Sequence, residues 1–342
     1  MDNKNKLAIT IIVLCVLSLG VGIKSTLQKN IELSRKDGAQ AVKNVFNSRN
    51  RIALIKLDGV IDSSQKASFF SPDTSAQGVI DALEEIKKDN SVKGVILKIN
   101  SPGGTVGMSQ NVYDEIIAVR AVKPVVVAMD DIAASGGYYI SSAADRIIAQ
   151  RGTLTGSIGV IFSSMDIHEL LANKLLITPN VIKSGKYKDI GSGLKAMNDD
   201  DRALLKNIID DSYQQFLSDI TKGRVNRHDK YSAAKRELSV ETLKTLADGR
   251  VFTGQQAYKY GFVDGLGDIN VAQQVVTAMA KERFKLSDKE LPLVPYKKCG
   301  SLADFFSVTS ESLFNKKTGA SVLDEYIPVS VKMGRQPLYL WE

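Results

Sequence analysis

Hydrophobic and polar residues follow alternating strand and helix patterns from Arg51 onward. Residues 51–61 have the pattern of a strand, and Ala76–Lys88 has apolar residues at helical spacing. The order repeats with a strand at 92–99 and a helix at Val106–Val122, and a third strand at 125–129 ends at Asp130-Asp131. Strands separated by helices predict an α/β fold with a parallel sheet and right-handed crossovers.

The rest of the chain is predicted to be mainly helical. A short strand at 146–150 and an apolar, glycine-marked stretch at 153–163 come first, followed by a helix at 165–174 and a strand at 178–183. Four helices follow, at 199–222, 240–246, 253–260 and 271–283. The end of the chain, 336–342, is apolar and predicted to be extended. It either binds a substrate groove as a strand or is a packed or frayed terminus.

The N-terminal segment has the features of a membrane anchor. Residues 7–23 carry no charge, and their length is close to the lower limit of roughly 17 residues for a spanning helix. Lys4 and Lys6 precede them, which predicts a cytoplasmic N-terminus and an extracytoplasmic remainder. A cleaved signal peptide is the alternative, but no A-x-A site follows, so we favour a retained anchor.

The charge pattern argues against nucleic-acid binding, and the positions of the cysteines argue against a disulfide. The net charge is +7, but the 45 Lys and Arg are scattered among 38 Asp and Glu without a basic stripe, so we expect no nucleic-acid binding. Cys15 lies in the predicted anchor and Cys299 far downstream, so a disulfide between them is implausible.

A candidate nucleophile lies at a predicted strand-to-helix turn. Ser135 is flanked by Ala133-Ala134 and Gly136-Gly137, which leave its hydroxyl uncrowded, although a helix N-cap is the structural alternative. A second glycine turn, at 100–104, ends what we predict to be the neighbouring strand. Its glycines can present a backbone N–H to a carbonyl oxygen. The two turns together indicate acyl-transfer chemistry more strongly than either does alone.

The base for such a serine is predicted to be a lysine. His168 and His228 lie in polar or amphipathic surroundings, so a Ser-His-Asp triad is disfavoured, and no cluster of metal ligands is present in the sequence. Burial lowers the pKa of a lysine and can leave it a neutral base. Lys183, Lys186 and Lys188 lie together after a predicted strand, and spacing alone does not select among them.

Four motifs together resemble the bacterial signal peptide peptidase A family, also called protease IV. They are INSPGG at 99–104, AASGGYYIS around Ser135, TLTGSIGVI at 153–161 and SGKYKDIGS at 184–192, and the resemblance covers roughly residues 51–267. It implies the fold of the Clp protease and crotonase superfamily. It also implies a serine endopeptidase with a Ser-Lys dyad, without cofactor, metal or ATP.

The resemblance assigns roles to individual residues. The nucleophile falls on Ser135 and the general base on Lys188, while Ser157 would orient the lysine amine. The oxyanion donors would be the N–H of Gly136 and of one glycine in the 101–104 turn, with Gly103 the first choice and Gly104 the second. Clp-type relatives place a histidine shortly after the serine, but here that region reads GSIGVI, without one.

The resemblance also implies partners, location and domain organisation. With one copy of each motif, the chain is expected to form a ring or dome in which Lys188 of one protomer serves Ser135 of its neighbour. The expected substrates are cleaved signal peptides and other short apolar peptides, at the outer face of a bacterial cell membrane crossed once by the chain.

The expected organisation is a cytoplasmic N-terminus and transmembrane anchor at 1–24, a stalk at 25–50, a Ser-Lys protease domain with helical additions at 51–285, and an extension and tail at 286–342. The alternatives are a non-proteolytic crotonase-like membrane scaffold and an acyl-CoA enzyme. The scaffold has no physical need for Ser135, Ser157 and Lys188 together, and the outward topology argues against the acyl-CoA enzyme.

Overall fold

A computed structural model describes residues 50–63, 73–225 and 238–296, together with the backbone of Leu338–Leu340. The sheet with its helices belongs to one compact unit of the chain, which begins at Ile52. The predicted anchor and stalk lie outside the described residues. Among the helices that are described, none combines the length and the apolar character needed to cross a membrane.

Strands and helices alternate through the first half of the described chain, and helices dominate the second. The elements are β1 (Arg51–Asp58), α1 (Ala76–Lys88), β2 (Val92–Ser101), β3 (Gly103–Thr105), α2 (Val106–Val122), β4 (Val125–Ala134), α3 (Gly136–Ser142), β5 (Arg146–Ala149), β6 (Leu154–Gly156), a π-helical turn (Leu170–Lys174), α4 (Asp199–Arg224), α5 (Val240–Leu246), β7 (Val251–Thr253), α6 (Gly254–Tyr260), β8 (Gly265–Leu266), α7 (Ile269–Phe284), β9 (Leu293–Pro295) and β10 (Leu338–Leu340).

An eight-stranded, mostly parallel sheet forms the centre of the fold. Its main order is β7-β6-β4-β2-β1-β9, with β5 and β8 branching from β4. Strand β4 is long enough to pair in parallel with β2 on one side, and on the other with β5 along its first half and β6 along its second. The pairing of β6 with β7 is antiparallel. This arrangement fits the Clp and crotonase type of fold that the motifs imply.

Alternating strand residues point into two apolar layers. Val125, Val127 and Met129 of β4 face the larger core, which is covered by α1, α2 and α3. Val126 and Ala128 face the other side, where α7 packs. Because both faces are buried, β4 reads as a continuous apolar run, which is typical of a parallel strand between two helical layers.

Most helices and strands match the predictions, and three segments differ. The helix predicted at 165–174 is reduced to the π-helical turn Leu170–Lys174. Helices α1, α2 and α5 have the predicted bounds. The third strand does not stop at Asp130-Asp131 but runs to Ala134, because Ile132–Ala134 pair with β6. The strand predicted at 178–183 is wrong: that segment is exposed and pairs with no described strand, and an isolated strand leaves its backbone without ladder hydrogen bonds.

Candidate active site

Ser135 occupies the sharp junction between β4 and α3. Its backbone is held at φ 53° and ψ −114°, a conformation that costs free energy for any residue other than glycine. The Ser135 N–H donates to the carbonyl of Gly156 at 2.8 Å, which fixes the turn to the neighbouring strand β6. The Ser135 side chain is fully buried, and its Oγ has no hydrogen-bond partner among the described residues. Ser135 therefore does not act as a helix cap through its hydroxyl.

Ser157 lies beside Ser135 at the end of the adjacent strand. Ala134 and Gly156 are paired in the parallel β4–β6 ladder, so the two serines follow paired residues at the carboxyl ends of their strands. Ser157 also has a positive φ, 49°, and its N–H donates to the Arg250 carbonyl at 2.8 Å. The structure thus brings both predicted serines to one edge of the sheet, where parallel sheets bind ligands.

The glycine turn lies against the same edge. The Gly103 N–H donates to Ser101 Oγ at 3.1 Å, and the Gly103 carbonyl accepts from the Ile61 N–H at 2.8 Å. Gly104, the next residue along β3, forms a parallel β-bridge with Ile61. The two hydrogen bonds of this bridge are made by the Gly103 carbonyl and the Thr105 N–H, not by Gly104 itself. Since successive peptide groups of a strand point to opposite sides, the Gly104 N–H is directed away from Ile61.

Gly136 packs tightly against this turn. A Cβ added to Gly136 would lie 3.2 Å from the Gly104 nitrogen, 3.3 Å from the Gly103 Cα and 2.6 Å from Ser109 Oγ. No side chain fits there without displacing its surroundings. The residue after Ser135 is a glycine because the backbone of the glycine turn approaches it closely.

The C-terminal strand β10 pairs with this turn. Leu338, Tyr339 and Leu340 run antiparallel to β3, opposite Thr105, Gly104 and Gly103 respectively. Strand β10 also lies beside α3, which begins directly after Ser135. The predicted extended conformation of the tail is therefore confirmed at 338–340. The edge of β3 accepts an extended peptide next to the candidate nucleophile.

Within a single chain, Lys188 does not form a hydrogen bond with the Ser135 hydroxyl. It belongs to the arm, residues 161–194, and its side chain is exposed. Because Ser135 Oγ has no hydrogen-bond partner among the described residues, Lys188 of the same chain does not reach it. The structure brings Ser135, Ser157, Gly136 and the glycine turn together, but it does not bring Lys188 to them.

The other two candidate lysines are held in ion pairs. Lys183 Nζ lies 2.7 Å from Asp189 Oδ1, and Lys186 pairs with Asp200. Lys195 joins the same group, at 3.0 Å from Asp189 and 2.9 Å from the buried Asp201. Lys188 takes part in none of the ion pairs between described residues. Of the three lysines that spacing left open, Lys188 is the one available to another group.

These ion pairs anchor the segment next to Lys188. Asp189 follows Lys188 directly, and the ammonium groups of Lys183 and then Lys195 lower the pKa of its carboxyl to about 2. Lys195 also links this carboxylate to Asp201, in the first turn of α4. Asp189 therefore stays ionised and ties the Lys188 segment to the start of α4.

Two groups near the site have no signal in the sequence. Ser109 of α2 is fully buried, and its Oγ has no partner among the described residues, yet its sequence context is that of an ordinary helical serine. Arg224 and Asp264 form a buried ion pair at 2.7 Å, and both interact with Tyr138 of α3. Residues 40 positions apart give no local pattern.

His168 does not contribute to this edge. His168 is about one-third exposed and lies 2.6 Å from Asp166 in the arm, as expected of a surface histidine, and His228 lies outside the described residues. Among the residues that the structure describes, no group of three or more His, Cys, Asp or Glu could hold a metal ion.

Comparison with known proteins identifies the family. Residues 117–283, which contain Ser135, Ser157 and Lys188, match the model of peptidase family S49. A protein of Synechocystis, provisionally named a protease, is 37% identical over 68% of this chain and 76% of its own length. A protein of Enterococcus faecium, provisionally named signal peptide peptidase SppA, is 33% identical over 70% of this chain and 66% of its own. The chloroplastic serine protease SPPA of Arabidopsis thaliana is 31% identical over 81% of this chain and 39% of its own. The strained serine at the sheet edge thus lies within the matched region, and the chain belongs to peptidase family S49, the family of signal peptide peptidase A.

Proposed function

We propose that the protein is a serine endopeptidase in which Ser135 is the nucleophile and Lys188 the general base. The observation that carries this proposal is the buried Ser135 hydroxyl. It is held by a strained backbone at the carboxyl end of a parallel strand, beside a turn that accepts an extended peptide. Strain at a single buried residue persists where the surrounding structure enforces it, and such residues cluster at active sites.

The proposed reaction proceeds in two steps. The Lys188 amine accepts the Ser135 hydroxyl proton as Oγ attacks the peptide carbonyl, and it returns that proton to the leaving amine. The resulting acyl-enzyme is hydrolysed by a water molecule that Lys188 deprotonates in turn. Ser157, at the end of the strand next to Ser135, is suited to accept a hydrogen bond from the lysine amine and orient it.

The oxyanion donors are proposed to be the N–H groups of Gly136 and Gly104. Gly103 was the first choice from the sequence, but its N–H already donates to Ser101 Oγ. The Gly104 nitrogen is the one closest to the space beside Gly136. The Gly103 N–H is bonded within the turn, whereas the Gly104 N–H lies on the side of β3 that pairs with an extended peptide, so Gly104 is the better candidate.

Lys188 is proposed to reach Ser135 of a neighbouring protomer. Within one chain the two side chains form no hydrogen bond with each other, and the arm that carries Lys188 exposes a run of large apolar side chains. These are Ile161, Met165, Leu170, Leu175, Leu176, Ile177, Val181, Ile182, Tyr187 and Leu194. Exposed apolar segments of this size mark protein–protein contacts. A second copy of the chain, packed against the arm, would cover these side chains and remove Lys188 from water.

The proposed substrates are extended apolar peptides, cleaved signal peptides among them. Strand β10 supports this class, because a short apolar segment already pairs with β3 through its backbone. Backbone pairing supplies affinity without fixing the sequence. A single membrane anchor at residues 7–23, with the peptidase unit on the outer face of a bacterial cell membrane, would hold the site where such peptides remain.

The test uses the purified full chain and a fluorogenic apolar peptide. Ser135→Ala and Lys188→Ala should each lower kcat by at least about 10³-fold, as expected for loss of a nucleophile or its base. Lys186→Ala is the matched control: it removes a nearby lysine that pairs with Asp200 and should retain activity. Equal hydrolysis by all four proteins would exclude the peptidase proposal and leave the non-proteolytic scaffold.

A further inference from the structure

Ser109 stands out among the buried serines of the described chain. Five serines have no exposed surface: Ser101, Ser109, Ser135, Ser141 and Ser142. Three of them form a hydrogen bond through the hydroxyl, with the Gly103 N–H or with helix carbonyls. Only Ser135 and Ser109 have a hydroxyl with no partner among the described residues. A buried hydroxyl without a partner is rare because it loses its bonds to water without compensation, and it calls for a physical explanation.

The Ser109 hydroxyl lies beside the two proposed N–H donors. The position that a Cβ of Gly136 would occupy is 2.6 Å from Ser109 Oγ and 3.2 Å from the Gly104 nitrogen. The hydroxyl is therefore packed against the Cα of Gly136, on the side of that residue that faces the Gly104 nitrogen.

We propose that Ser109 is a further catalytic residue, whose hydroxyl donates a third hydrogen bond to the oxyanion; this rests on the proposed function of Ser135. The carbonyl oxygen gains negative charge as the Ser135 Oγ–carbon bond forms, and the Ser109 hydroxyl rotates to donate to it. No proton is transferred, and the bond weakens again when the carbonyl re-forms. Because the hydroxyl is unsatisfied before the reaction, its hydrogen bond stabilises the transition state more than the resting enzyme.

The first test measures Ser109→Ala in the full chain. We expect kcat to fall by about 10- to 100-fold, less than or equal to the loss of a principal oxyanion donor, with KM within about twofold of the wild type. A peptide aldehyde, which forms a hemiacetal oxyanion with Ser135, should bind more weakly by the same factor as kcat falls. The melting temperature should equal or exceed that of the wild type, because an unsatisfied buried group is removed.

Ser212→Ala is the matched control. Ser212 is also a largely buried helical serine, but its hydroxyl donates to the Ile208 carbonyl at 3.0 Å, in α4. The same chemical change should leave kcat and aldehyde binding unchanged and lower the melting temperature slightly. A loss of activity without loss of stability, confined to Ser109, is the expected signature of donation to the oxyanion.

The outcomes distinguish failure of the Ser109 proposal from failure of the peptidase proposal on which it rests. Unchanged kcat and aldehyde binding in Ser109→Ala, with Ser135→Ala inactive, would overturn the role of Ser109 and leave the peptidase proposal intact. A joint loss of kcat and melting temperature would also overturn it, since the hydroxyl would then act on the fold. Full activity of Ser135→Ala would instead remove the proposed function itself.

Discussion

Removing one partner of the buried ion pair between Arg224 and Asp264 should lower the stability of the protein strongly. Replacing both residues with apolar ones should lower it less. Arg224 Nη2 lies 2.7 Å from Asp264 Oδ1, and Asp264 Oδ2 accepts from the Ile147 N–H at 2.7 Å. Burial would raise the pKa of the Asp264 carboxyl, but the Arg224 guanidinium outweighs it and holds the pKa below its usual range. Asp264→Ala leaves a buried guanidinium and a backbone N–H without this acceptor.

The magnitude follows from the burial of both partners. The Arg224 side chain is 3% exposed and that of Asp264 15%, so loss of one partner should cost about 3–5 kcal/mol of unfolding free energy. For a unit of this size, that lowers the melting temperature by roughly 6–20 °C. The double variant Arg224→Met/Asp264→Leu should recover part of the loss, because the buried guanidinium of Arg224 is removed with its partner while the Ile147 N–H still lacks its acceptor.

Thermal unfolding of the three proteins, followed by circular dichroism at pH 7, measures both effects. A melting temperature of Asp264→Ala within 2 °C of the wild type, under about 1 kcal/mol, would refute the reasoning from burial. So would a double variant that is less stable than the single one. Arg224 interacts with Tyr138, in the helix that follows Ser135. On heating, peptidase activity of the variant should therefore fall in parallel with the fraction of folded protein.

Two further substitutions test the geometry around the site. Gly136→Ala places a Cβ 2.6 Å from a buried hydroxyl and 3.2 Å from a backbone nitrogen, and should cost about 1–3 kcal/mol and more than about 10²-fold in kcat. Gly107→Ala, whose Cβ would meet nothing within 4 Å, should retain activity, and equal kinetics of the two would contradict the packing argument. Asp189→Asn should lower the melting temperature above pH ~4, where the carboxylate is ionised in both the folded and unfolded states. Since Lys183 and Lys195 hold the folded pKa of Asp189 at about 2, the difference should close as the pH falls towards 2, and a constant difference would show that the ion pairs do not stabilise the fold.

The sequence predicted the elements that are stabilised by local patterns. Helix α2 and strand β2 bury one face or both, so their periodicity is visible, and the glycines beside Ser135 marked the turn. The sequence did not predict the full length of β4, because a charged residue such as Asp130 usually marks the end of a buried strand. In the fold, Asp130 forms an ion pair with Lys98 of the neighbouring strand β2. Contacts between distant segments decide such cases.

The choice of base shows the same limit at the site. Lys183, Lys186 and Lys188 are equivalent in spacing, and only ion pairs formed across the arm and α4 distinguish them. Ser109 likewise has no distinctive sequence context, because its significance lies in a missing hydrogen bond. The motif resemblance supplied Lys188 where local chemistry alone left three choices.

Mixing two inactive variants tests the central claim, that one protomer's Lys188 serves its neighbour's Ser135, most directly. Ser135→Ala and Lys188→Ala are purified separately, dissociated, combined in equal amounts and reassembled, and hydrolysis of the fluorogenic peptide is measured. The account predicts that activity returns to about a quarter of the wild-type value, because each active site needs an intact Ser135 and an intact Lys188 from adjacent chains. A reassembled mixture as inactive as either variant alone would contradict it.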